Sequence, residues 1–271
     1  MLNKIVIFIF IFLINIFLSF NISANEQFTF DVTELEISDN GNIIKGFNRG
    51  KIVSDNGLEI QADTFIYDKI TNILNVSGNV KAEDKIKDFI ITAENIIYLK
   101  NENRIISNNN SKIIDGVGRV IIANKISYNT SKNTFKASGD VKAEDKIKDF
   151  IITAENIIYL KNENKIRSKG KTNFLIGSRF DIKSEDIEIL NSNNIIKSNK
   201  SASIRDNKYK TIYELSKFNI DITNEILKGK NIIVNTNFDI PLNDKFYFKS
   251  GVFDLKKQSF ATQNIDLRFR K

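Results

Sequence analysis

KAEDKIKDFIITAENIIYLKNEN runs from Lys81 to Asn103 and recurs unchanged from Lys142 to Asn164. The match extends over Ser77 to Ile105 against Ser138 to Ile166, and differs there only at Asn79/Asp140 and Arg104/Lys165. The offset is 61 residues, and it is in phase with a quieter repeat. Ala-[Asp/Glu/Asn]-x-x-x-Tyr occurs at Ala62–Tyr67, Ala93–Tyr98, Ala123–Tyr128 and Ala154–Tyr159, in steps of 31, 30 and 31 residues. Five residues after each Tyr stands Asn72, Asn103, Asn133 or Asn164, and two further on Leu74, Ile105, Phe135 or Ile166. A fifth, worn copy keeps Ser184, Ile189, Asn194 and Ile196 at the same offsets. A period near thirty residues marks a stack of supersecondary units, each burying its apolar face against its neighbours.

Within a unit the apolar residues alternate, in the order Leu58/Ile60/Ala62, Phe89/Ile91/Ala93, Ile121/Ala123 and Phe150/Ile152/Ala154. After the Ala the phase slips by one, to Phe65/Tyr67, Ile96/Tyr98, Ile126/Tyr128 and Ile157/Tyr159. Period-2 alternation in Ile-, Phe- and Tyr-rich segments predicts strands, and a one-residue slip predicts a β-bulge that bends them. The recurring Asn suits a turn position with positive φ. Each unit is therefore two strands, roughly 6–10 residues long, and a turn. The chain reads as all-β, an open antiparallel stack closing around an apolar interior in the manner of a jelly roll or a solenoid. That interior is a solid core or a groove wide enough for acyl chains, and the small Ala at each bulge makes room for a guest or for a neighbouring Tyr. Open stack ends leave strand edges free to pair with another protein, since the only proline is Pro241.

Composition narrows the function. Cysteine and histidine are both absent, which removes thiolate metal sites, disulfides and the commonest general base. The expectation is therefore a protein that is not an enzyme and has no metal and no cofactor. Glu83, Asp84 and Asp88, with their copies Glu144, Asp145 and Asp149, are the nearest approach to an acidic cluster. Lys85, Lys87, Lys146 and Lys148 interleave them, so they read as solvated turn residues. The net charge of +7 is spread without a long Lys/Arg block, which argues against a nucleic-acid stripe. At the N-terminus, Lys4 precedes an apolar run from Ile5 to Phe20 and the small residues Ser23 and Ala24. That order predicts a secretory signal over residues 1–24, with an uncleaved signal-anchor as the alternative, and a mature domain over residues 25–271 outside the cytoplasm.

These features together resemble the OstA-like family of periplasmic lipopolysaccharide-transport proteins, which includes the bridge protein LptA, the anchored LptC and the N-terminal domain of LptD. The resemblance rests on repeated I-x-A-[DE]-x-x-x-Y segments followed by Asn, apolar and Gly, in LEIQADTFIYDKITNILNVSGNVKAED (Leu58 to Asp84) and its copies. It covers roughly residues 28 to 269 and is most specific over residues 58 to 166. The C-terminal stretches YELSKFNIDITNEILKGKNI and FYFKSGVFDLKKQSFATQNIDLRF are similar to the LptD N-terminal domain; LptD proteins continue into a barrel and many carry cysteines, so the expectation is either a stand-alone bridge protein or a shortened LptD-like chain. The resemblance implies an open, twisted antiparallel β-jellyroll whose interior shields lipopolysaccharide acyl chains. It also implies partners: lipopolysaccharide, other Lpt-type jellyrolls joined by strand-edge pairing, and further copies of the chain itself. The lipid-facing residues would be Leu58, Ile60, Ala62, Phe65, Tyr67, Leu74, Phe89, Ile91, Ala93, Ile96 and Tyr98. In the later units they would be Ile121, Ala123, Ile126, Tyr128, Phe150, Ile152, Ala154, Ile157 and Tyr159. The competing reading is a structural or adhesive surface repeat protein, a solid β rod without lipid cargo.

Overall fold

A computed structural model of the chain describes residues 28–240 and 244–268, with side chains as far as residue 262. The signal expected over residues 1–24 lies outside the described residues. The described residues form one antiparallel sheet of twenty strands that curls into a roll. It begins with β1 (Phe28–Ser38), β2 (Ile43–Ser54), β3 (Glu59–Ala62), β4 (Thr64–Asp68), β5 (Ile73–Asp84) and β6 (Phe89–Leu99). It continues through β7 (Arg104–Asp115), β8 (Val120–Asn129), β9 (Thr134–Asp145), β10 (Phe150–Leu160), β11 (Lys165–Ile176), β12 (Phe180–Glu185) and β13 (Glu188–Leu190). It ends with β14 (Ile195–Ser198), β15 (Ala202–Asp206), β16 (Thr211–Leu215), β17 (Lys217–Asp221), β18 (Ile226–Asn235), β19 (Lys245–Asp254) and β20 (Ser259–Arg268).

From β5 to β11 each strand pairs with the next in sequence, so the middle of the roll is a meander. Strands β5 to β11 run 10–12 residues, longer than the alternation implied. The slip after each Ala bends a continuous strand instead of ending it, with register shifts at Thr92/Asn95, Ile122/Lys125 and Ala154/Asn156. In four places the bend becomes a break: β3 with β4, β12 with β13, β14 with β15 and β16 with β17 each replace one bent strand.

Both differences between the duplicated blocks are explained locally. Asn79 and Asp140 occupy the same bulge position with φ 47° and 49°, a left-handed conformation that Asn and Asp tolerate better than most residues. The preceding glycines, Gly78 and Gly139, have φ 78° and 76°, and a Cβ on Gly78 would lie 2.4 Å from Asp63 Oδ2. Arg104 and Lys165 each pair with the Glu two residues earlier, at 2.7 Å to Glu102 and 3.1 Å to Glu163.

The predicted turns carry a backbone ladder. Asn72, Asn103, Asn133, Asn164 and Asn194 have φ between 48° and 56°. Their carbonyls accept from Lys100, Thr130, Lys161, Asn191 and Ile222 N–H groups respectively, at 2.8–3.2 Å. Every turn in this row is thus tied to the next. The Asn side chains add a second string: Asn72 donates to Asn101, Asn133 to Asn162 and Asn194 to Thr223, at 2.8–3.2 Å.

Candidate functional site

The bulges divide every bent strand into two arms, and the arms stack as two layers with the alternating apolar residues between them. Ring contacts join the layers. Phe28 meets Tyr67 edge-on at 4.7 Å, and Phe89 meets Tyr128 at 4.5 Å and Phe135 at 5.8 Å. Phe28 and Phe89 sit at the start of their strands, whereas Tyr67, Tyr128 and Phe135 lie on the arms beside the Asn turns.

Of the interior residues expected from sequence, all but Ala93 are buried, none more than 9% exposed, and Ala93 packs half-buried against the same cluster. Side chains therefore fill the middle of the roll. The bulge alanines Ala62, Ala123 and Ala154 are buried with it. Interior space remains in places among the described residues. One cavity of about 180 Å³ lies beneath Lys148, among Phe150, Phe174, Ile176, Ile189, Ile196 and Ile222. A second, also about 180 Å³, lies near the C-terminal end among Tyr213, Val234, Phe246, Phe248, Phe253 and Phe260. A larger depression, about 940 Å³, runs along the bulges and is lined by Asp140, Glu155 and Lys171 together with the core residues Val141 and Ala154.

Opposite the bulges, the two rows of turns meet along a seam. One row is the Asn turns. The other is anchored by aspartates: Asp84 Oδ1 accepts the N–H groups of Ile86 and Lys87, Asp115 those of Val117 and Arg119, and Asp145 those of Ile147 and Lys148. Asp84 and Asp145 were expected as solvated turn residues, and the structure corrects that: both are buried, because these N–H groups replace the water a carboxylate would lose. Asp88 and Asp149 are exposed, as expected.

Cations bridge the seam. Lys87 Nζ donates to the Thr130 carbonyl at 2.8 Å, Lys161 Nζ to the Asp88 carbonyl at 2.9 Å, and Lys148 Nζ to Asn194 Oδ1 at 2.8 Å. Lys100 pairs with Asp55 at 3.0 Å, and Arg119 Nε with Asp145 at 2.9 Å. Arg179 joins Asp206 at 3.0 Å and Glu225 at 2.8 Å. Burial lowers the Lys148 pKa, and the nearby Arg119 charge adds to this against the pull of Asp145. Burial works against the Arg179 charge, yet Asp206 and Glu225 hold its pKa above the ordinary value. Burial also raises the interior tyrosines, Tyr159 and Tyr213 to about 12.

The roll is open at both ends. Among the described residues, strand β1 pairs only with β2, and β20 only with β19. At the first end the interior row reaches solvent at Leu35 (48% exposed) and Ile37 (58%), and at the second at Phe260 (54%). Sequence reasoning missed a sixth unit, in which Leu215, Phe218, Ile220, Glu225 and Leu227 take the places of Ala62, Phe65, Tyr67, Asn72 and Leu74. Glu225 adopts the same left-handed turn, φ 55°, but the Ala, Tyr and Asn that marked the motif are gone. The surviving signal is the 31-residue step from Ser184 to Leu215.

Among the described residues no group of His, Cys, Asp and Glu is arranged to hold a metal ion, and no helix is long and apolar enough to cross a membrane. The buried aspartates anchor turns, and Asp115 Oδ2 also accepts from the Tyr159 hydroxyl at 3.3 Å. No protein-family model matches the chain, and no curated protein matches its sequence. Among solved structures the chain is similar to the crystal structure of LptH, the LptA homologous periplasmic component of the conserved lipopolysaccharide transport device from Pseudomonas aeruginosa. The identity is 18%, the TM-score 0.39, and the match covers 42% of this chain and 84% of that one.

Proposed function

We propose that this chain is a periplasmic component of lipopolysaccharide transport that shields acyl chains inside the roll and docks end to end with similar rolls. The observation that carries this reading is an apolar interior running from one unpaired edge to the other, with Leu35 and Ile37 exposed at the first and Phe260 at the last. An exposed edge with apolar side chains on its inner face suits strand addition by another β-roll, which would carry the interior across the junction. The resemblance of the repeats over residues 58–166 to OstA-like proteins supports lipopolysaccharide as the cargo, and the order of charged, apolar and small residues over 1–24 supports export. Acyl chains enter at the cavity beneath Lys148, where seam cations stand ready to meet phosphate groups outside. Passage through the packed middle requires the two arms to part at the seam.

The packed middle also favours a second reading, a solid β rod that serves as a structural or adhesive repeat. Photoreactive residues at Ile91, Tyr98 and Ile152 separate the two in cells. The transport reading expects crosslinks to lipopolysaccharide from at least one of the three, and silence at all three leaves the rod.

A further inference from the structure

The seam has two unlike lips. Between residues 100 and 194 the Asn turns present polar tips, and Glu102 and Glu163 accompany Lys100 and Lys161. The Asp-anchored turns present Ile86, Val117 and Ile147, which are 82%, 51% and 79% exposed. Lys85 and Lys146 stand beside the two isoleucines, exposed and outside any ion pair among the described residues. Three of the acids on this lip are withdrawn, and the two that stay exposed, Asp88 and Asp149, are outnumbered by Lys85, Lys87, Lys146 and Lys148. Asp84, Asp115 and Asp145 point inward as anchors, and Asp88 and Asp149 pack against the glycine turns at Gly116 and Gly177.

We propose that this lip is a membrane-contacting edge that seats the roll on an anionic lipid surface. Successive tips are two strands apart, about 10 Å, so Ile86, Val117 and Ile147 form a line of about 20 Å on one edge. The Asx hydrogen bonds hold each tip outward at 2.8–3.2 Å, so little conformational entropy is lost when the tip is immobilised. Isolated apolar tips in a row, with no flat patch around them, suit a fluid surface better than a protein interface, which needs a contiguous packed area. Isoleucine enters the headgroup boundary while the adjacent lysine stays at the phosphates. The in-phase duplication doubled this feature, since Lys85-Ile86-Lys87 and Lys146-Ile147-Lys148 are the same tip four strands apart.

The chain has no cysteine, so a single Ile147→Cys variant carries one environment-sensitive fluorophore. It is titrated with vesicles of three parts phosphatidylethanolamine to one part phosphatidylglycerol. The same label at Ile122, exposed on the outer face of β8, is the control. Insertion predicts a blue shift at position 147 and none at 122, and each of Lys85→Gln and Lys146→Gln weakens partitioning about fivefold. An unchanged spectrum at 147, an equal shift at 122, or equal binding to pure phosphatidylcholine would each overturn the proposal. Because Ile86 and Ile147 point away from the interior, an Ile86→Ser, Ile147→Ser variant keeps any cargo crosslink at Ile152. Loss of membrane seating and loss of cargo are thus read separately.

Discussion

Tyr98 and Tyr159 are the same residue of the same duplicated block, yet Tyr→Phe should cost different amounts at the two sites. Both rings are buried and Phe keeps the ring, so each substitution isolates the hydroxyl. Tyr98 accepts from Asn56 Nδ2 at 3.2 Å, and Asn56 is exposed, so water replaces the lost partner. That loss costs about 0.5–1 kcal/mol. Tyr159 donates to Asp115 Oδ2 at 3.3 Å and touches the Arg119 guanidinium, which is itself paired with the buried Asp145. Removing the hydroxyl there takes a partner from two nearly buried charges, at about 1.5–3 kcal/mol. Urea unfolding of the two single variants should therefore show Tyr159→Phe less stable than Tyr98→Phe by about 1–2 kcal/mol, with unchanged slope. Equal losses, or a larger loss at Tyr98, would refute the placement of the turn of residues 116–119 over the second copy.

The raised tyrosines make folding sensitive to alkali: Tyr159 and Tyr213 stay protonated to about 12 in the fold, so their contribution is complete below pH ~10 and is lost as pH rises through about 12. Tyr159→Phe should flatten the stability profile across that window, and a profile identical to the parent's would count against the cause assigned. At Asn133, with φ 50° and hydrogen bonds from Tyr128 and to Asn162, Gly should cost about 1 kcal/mol and Ala about 1–2 kcal/mol more in thermal or urea melts. An Ala variant as stable as the Gly variant would show that the left-handed turn is not what selects Asn there.

Much of the roll is legible in the sequence because its determinants are local. Phe89-x-Ile91-x-Ala93 followed by Ile96-x-Tyr98 states two faces and a slip, and the strand bends where the slip falls. Asn at a fixed offset states a left-handed turn, and all five such positions adopt it. The sixth unit escaped because Glu225 keeps the backbone conformation without the residue that signals it. Asp84 and Asp145 misled for a related reason: a carboxylate in a charged run looks solvated until its own turn folds its N–H groups back onto it.

By itself the sequence determined the period, the strand faces, the bulges and the turns, all set by side chains within a few residues of one another. Only the tertiary structure decided which turn lies across which strand. That choice depends on twist accumulated over several strands, which the copies of a repeat do not encode separately. Hence Lys81–Asn103 and Lys142–Asn164 fold alike but meet different neighbours, and one block's tyrosine faces Asn56 while the other's faces Arg119 and Asp115. The same twist closes the layers onto each other, bridges the seam with lysines, and leaves Ile86 and Ile147 outside it.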